Sequence, residues 1–220
     1  MIKTAILVDG GFYRQRRKIK PELEASVAAE ELFKYCMSHV DRKGDDVKRH
    51  LYRIFYYDCK PLDKTVFHPL TKKEIILNET KHYIWMNNFL KELNKKRKLA
   101  IRLGVLAVSK QKAYNIRPEI TKRYIEQEKN FKDLKESDFS FLGKQKGVDM
   151  RIGLDIASLA YKRLVNQIIL ISGDSDFVPA AKLARTEGID FILDPMNLPI
   201  QGGLIEHVDG IETMLEKKRF

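Results

Sequence analysis

Residues 167–177 read QIILISGDSDF. The apolar run Ile168–Ile171 stops at a small-residue turn that carries Asp174 and Asp176, two positions apart. An apolar run without alternation is how a strand covered on both faces reads, and such strands belong to parallel sheets. The helical pattern FVPAAKLARTEG follows. Its Pro179 falls in the first turn, where proline is tolerated, and Gly188 is placed to close the C-terminal end. Strand, turn and helix thus form one βα unit with two carboxylates at the turn.

The same grammar recurs outward from this unit. TAILV at 4–8 is a short apolar run ending at Asp9-Gly10-Gly11, as a buried parallel strand entering a turn should look. A helical pattern covers roughly 23–40, and the aromatic, β-branched stretch HLYRIFYYD at 50–58 reads as a strand. A loop with Pro61 and Pro69 leads to a helix around 80–97, then to a strand at 99–108. VDMRIGLDIASLAYKR at 148–163 is an amphipathic helix, DFILDP at 190–195 the last good strand, and GIETMLEKKRF a short closing helix. Alternating strands and helices predict an α/β fold, a three-layer sandwich with a mainly parallel sheet and right-handed crossovers. Residues 109–146 break the rhythm and are too long for an ordinary loop, so this insertion should carry helix of its own, notably in PEITKRYIEQEKNF.

Bulk composition sets the limits. A chain of 220 residues with 44% hydrophobic and 32% charged residues fits one domain over 1–220 with a substantial core. No apolar run approaches the ~18 residues of a membrane span. The N-terminus lacks a signal-peptide cleavage pattern, so the expected location is cytoplasmic, with no membrane partner. Cys36 and Cys59 lack metal or disulfide spacing, and Cys36 reads as a small core residue. His39, His50, His68, His82 and His207 show no metal-pair pattern and read as surface or half-buried residues. The net charge of +11, from 41 basic and 30 acidic side chains, favours a polyanionic partner, nucleic acid above all, or else merely aids solubility. A second copy of the chain stands as a further candidate partner.

In an open parallel sheet, ligands bind outside the carboxyl ends of the strands, where strand order reverses. Asp9, Asp174 and Asp176 end strands on that edge, and a helix N-terminus brings Asp149 to it. Asp155 is six residues further along; at ~100° per residue it lies about 120° around the helix from Asp149. It is therefore less suited to the same site. Gly10, Gly11 and Gly173 are expected to keep the edge open to a ligand. Four carboxylates a few ångströms apart repel one another and raise one another's pKa unless a cation intervenes. An all-oxygen site without His or Cys suits Mg²⁺ or Mn²⁺, ions that activate water and stabilise charge on a phosphodiester under attack.

Each aspartate alone has a plainer explanation. Asp176 can cap the helix at Phe177, Asp9 can be a turn residue before two glycines, and Asp155 can anchor a neighbouring donor. Four at one edge, with three glycines, make coincidence the weaker account.

Together, ILVDGGFY, IRLGVL, KGVDMRIGLDIASLA and LISGDSDFVPAAKLARTEG resemble the NYN domain of the PIN-like nuclease superfamily, in its LabA-like group. The resemblance runs in order across nearly the whole chain except 109–143. It implies a compact α/β sandwich with an acidic metal-binding pocket and ribonuclease activity. In it Asp9 is the first-strand acid, Asp149 the helix acid, and Asp174 and Asp176 the pair after the fourth strand. Ser172 matches a position lining the pocket; Gly10, Gly173 and Asp155 are expected to line it as well. Many relatives carry asparagine three residues after the first aspartate; here Phe12 stands there, a GGF form that some LabA-like members share.

Tyr13, Arg14, Arg16 and Arg17 follow the first acid directly, and Lys146 precedes the helix acid. Phosphates would be held by the cations, and unpaired bases could stack on aromatic rings. The cluster Lys95–Lys98 ends a helix and reads as structural. The expected function is a metal-dependent ribonuclease; the alternative is a non-catalytic RNA-binding regulator retaining the fold. A phosphatase with an aspartyl nucleophile needs DxD after the first strand, and Gly10-Gly11 stands there instead.

Overall fold

The computed structural model describes residues 1–42, 47–108, 113–127, 131–200 and 203–215. The chain runs β1 (Ile2–Asp9), α1 (Gly10–Arg16), α2 (Ala25–Ser38) and β2 (Arg49–Cys59), then the small strands β3 (Thr65–Phe67) and β4 (Glu74–Ile76). Next come α3 (Lys81–Asn94), β5 (Leu99–Ala107), β6 (Tyr114–Ile116), α4 (Pro118–Glu126), β7 (Phe139–Phe141) and β8 (Lys144–Lys146). The last elements are α5 (Val148–Tyr161), β9 (Gln167–Ile171), α6 (Val178–Thr186), β10 (Asp190–Asp194) and β11 (Gly210–Ile211).

Seven strands form the main sheet in the order β11-β10-β9-β1-β2-β5-β8. All neighbours are parallel except the β5–β8 pair at one edge. From β1 the chain builds outward through β2 and β5, then returns to the other side of β1 with β9 and β10. The strand order therefore reverses between β1 and β9, the position at which an open α/β sheet binds its ligands. Register is tight there: Val8 pairs with Ile171, so Asp9 and Ser172 emerge side by side.

Both faces of the sheet are covered. Residues 5–8 of β1 and 168–171 of β9 are fully buried, because alternate side chains enter opposite cores. Ile6, Val8, Ile169 and Ile171 pack with Leu32, Cys36, Trp85 and Phe89 of α2 and α3. Ala5, Leu7, Ile168 and Leu170 pack with Ile152, Ile156, Phe177 and Ala181 of α5 and α6 and the turn before it. This is the three-layer arrangement that the uninterrupted apolar runs predict.

Several expectations need correction. His39 and His68 are buried rather than surface or half-buried residues. His39 Nε2 sits 2.8 Å from Asp194, and the His68 ring packs on Tyr114 and Phe139, 5.2 and 4.9 Å between centroids. The segment from Gly210 begins as a strand on β10, not as a helix, and its residues 216–220 lie outside the described residues. The insertion does carry a helix, α4, together with the β6–β7 hairpin. It also delivers β8, whose fully exposed Lys-Gln-Lys has no apolar pattern to announce it. Residues 109–112 and 128–130 of the insertion lie outside the described residues.

Candidate active site

Asp9 closes β1 and caps α1, its Oδ1 accepting the Phe12 N–H at 3.0 Å. Across the strand boundary, Ser172 is fully buried, and its Oγ accepts the Asp174 N–H at 3.3 Å. Asp174 Oδ1 in turn accepts the Asp176 N–H at 3.0 Å and caps the short turn leading into α6. The cap in this turn is thus Asp174, not Asp176. These local bonds hold the Asp174 and Asp176 side chains in the exposed turn after β9. Ser172 acts beneath the surface, as a fixture of the turn.

Asp149 stands in the first turn of α5. Burial, then the charges of Asp174 and Asp176, push its pKa above the usual aspartate value. Asp9 is raised too, chiefly by burial and also by Asp149, against the lowering effects of the Phe12 and Gly11 N–H groups and of Arg14. Carboxylates from β1, α5 and the turn after β9 therefore share one electrostatic neighbourhood. Among the described residues, no group of three or more His, Cys, Asp or Glu side chains stands in a metal-holding arrangement. The acids are neighbours without being a closed ligand shell. Their all-oxygen chemistry and mutual repulsion fit a hard divalent cation.

The residues predicted to bind RNA divide sharply. Tyr13 is completely buried, with its ring against Tyr35 at 5.7 Å, so no base can stack on it. Arg14 forms an ion pair with the buried Asp58 and donates to Tyr56 Oη at 2.6 Å. Arg16 donates to the Met196 carbonyl at 2.8 Å, and Arg17 pairs with Glu31 at 3.3 Å. Lys146 is exposed on the same rim. The segment after Asp9 is a short helix that turns Tyr13 inward, not the exposed RNA-binding stretch its charges suggest. Asp58, which caps this arrangement from the end of β2, was not read from the sequence; it looks there like the polar end of an aromatic strand.

Gly10 and Gly173 let neighbouring rings approach closely. A Cβ on Gly10 would lie 2.4 Å from the Tyr56 ring end, and one on Gly173 would lie 2.7 Å from the Phe12 ring. Phe12 thus fills the space beside Gly173. Asp155 does not join the acids: its Oδ2 accepts from Tyr57 Oη at 2.8 Å and Arg102 Nε at 3.1 Å. Beside the acids, a depression of about 380 Å³ between α5 and α6 is lined by Asp149, Asp176, Met150, Gly153, Pro179 and Leu183, among others.

A mostly parallel sheet covered on both faces by helices is consistent with an α/β domain of the PIN-like kind. A family model for the NYN domain matches residues 65–197, and the chain belongs to that family, a branch of the PIN-like nucleases. The match includes Asp149, Asp174, Asp176 and the insertion, and begins after the strand that carries Asp9. PIN-like nuclease domains usually use divalent metals. No curated protein sequence matches the chain. Among solved structures it is similar to a protein of unknown function from Vibrio parahaemolyticus, at 13% identity and a TM-score of 0.48, covering 98% of this chain and 94% of that one. No helix among the described residues is long and apolar enough to cross a membrane.

Proposed function

We propose that the protein is a metal-dependent ribonuclease of the LabA-like group, in which Asp9, Asp149, Asp174 and Asp176 hold Mg²⁺ or Mn²⁺. The observation that carries this reading is the coupling of Asp149 to Asp174 and Asp176, and of Asp9 to Asp149. Mutually repelling carboxylates are costly to the fold and useful to a cation. Such an ion, when bound, supplies an activated water and neutralises charge developing on the phosphodiester. The protein's own residues orient the site: Ser172 fixes the turn of Asp174, and Phe12 N–H fixes Asp9. Lys146 supplies positive charge on the same rim for the RNA backbone. The subgroup rests on the resemblance of the four motifs taken together, with which the GGF form after Asp9 is compatible.

The test is cleavage of single-stranded RNA with Mn²⁺ or Mg²⁺ and with chelator, for the parent and for Asp9→Asn and Asp174→Asn. Cleavage by the parent should need the metal, and either substitution should lower the rate by about 10²-fold or more, while RNA binding survives. Both variants cutting at the parent rate would show that the acids are not the site. RNA binding without cleavage under every metal condition would instead establish a non-catalytic RNA-binding regulator.

A further inference from the structure

The arginines near the acids mostly have internal partners: Arg14 with Asp58, Arg17 with Glu31, Arg102 with Asp155. Arg151 is different. It is exposed, its Nη1 donates to the Gly147 carbonyl at 2.8 Å, and among the described residues no carboxylate forms an ion pair with it. That bond folds the side chain back toward the N-terminal end of α5, at the same rim as Asp149. The fold-back depends on Gly147, which has φ +74 and no Cβ; a Cβ there would lie 2.7 Å from Arg151 Nη1. An L-residue would be strained in this backbone region, and the guanidinium would have to shift to make room for its Cβ.

Helix stability does not account for the arrangement, because a cation at a helix N-terminus opposes the helix dipole. Lys146, exposed and likewise without a carboxylate in ion-pair contact among the described residues, precedes Gly147 directly. The result is two exposed cations at Gly147, one before it in sequence and one seated over it, at the N-terminal end of the helix that carries Asp149.

We propose that Arg151, seated over Gly147 beside Lys146, is a phosphate-binding residue that holds an RNA backbone phosphate next to the one at the acids. This rests on the ribonuclease reading for its ligand but not on catalysis. A guanidinium suits the task because its planar fork can meet two phosphate oxygens at once. The strand would then run from the Lys146–Arg151 seat to the carboxylates, with cations anchoring it where the acids repel it.

The experiment measures affinity for a short fluorescein-labelled oligouridylate by anisotropy, in chelator and over a range of salt, so that no cleavage intervenes. Arg151→Gln should weaken binding several-fold at low salt and reduce the slope of log affinity against log salt by ~0.7, the loss of one single-strand phosphate contact. Arg151→Lys should keep most of that slope, since the charge remains. Thermal midpoints confirm that the variants are folded; the exposed side chain makes this the expected result. Parent binding with an unchanged slope in Arg151→Gln overturns this proposal alone. Absence of RNA binding by the parent overturns both it and the ribonuclease reading.

Discussion

At the scale of single residues, Asp149 shows how the site acts on stability. Its pKa is raised above 3.8, first by burial and then by Asp174 and Asp176. A raised carboxylate binds its proton more tightly in the folded chain than in the unfolded one. Between the unfolded value and the folded value the folded state therefore holds more protons, and stability falls as pH rises through that window. Without metal, the loss is complete at neutral pH. Asp149→Asn removes the repelling charge and should raise the metal-free midpoint at neutral pH. The gain should stay below about 1 kcal/mol, since the side chain is exposed and screened, and should vanish near pH 3. Urea unfolding of parent and variant at both pH values reads this directly; a variant less stable than the parent at neutral pH would mean that Asp149 has a favourable partner instead.

At the scale of elements, α5 carries two aspartates in different surroundings. Asp149 faces the other acids, while Asp155 accepts from the buried Tyr57 and from Arg102. Asp155→Ala leaves the Tyr57 hydroxyl without its acceptor and should cost about 1–3 kcal/mol of stability, with cleavage by the folded fraction unchanged. Loss of cleavage in a chain of parental stability would put Asp155 in the site after all. The division was legible because helical rotation separates the two positions. The core strands were legible as well, since β1 and β9 are buried on both faces and their apolar runs end where Asp9 and Ser172 emerge. Contacts made by folding alone were not: nothing local to Arg14 announces Asp58, 44 residues away. Nor does the seven-residue α1 offer enough periodicity to show that Tyr13 turns inward. The edge strands β8 and β11 pair through their backbones and carry no buried stripe, so composition mistook one for insertion and the other for helix.

At the scale of the whole molecule, the candidate site joins parts of the chain that are remote in sequence. Asp9 ends β1, Asp149 opens α5 and Asp174 follows β9, and only the reversal of strand order between β1 and β9 brings them to one edge. The unfolded chain has no such assembly, so an ion held by these acids binds the folded state almost exclusively. Mass action then makes the ion a stabiliser: at a hundredfold excess over its dissociation constant it adds about 2.7 kcal/mol. For a chain of this size that is a rise in thermal midpoint of roughly 5–10 °C. Mn²⁺ or Mg²⁺ should raise the parent's midpoint in this concentration-dependent way, and chelator should reverse it. Asp9→Asn should lose most of the shift while still folding, because an asparagine side-chain oxygen can accept the Phe12 N–H as the carboxylate does. The readout is independent of catalysis. Metal-dependent cleavage with no metal-dependent midpoint at any concentration would mean that the ion arrives with the RNA, and that the acids alone do not retain it.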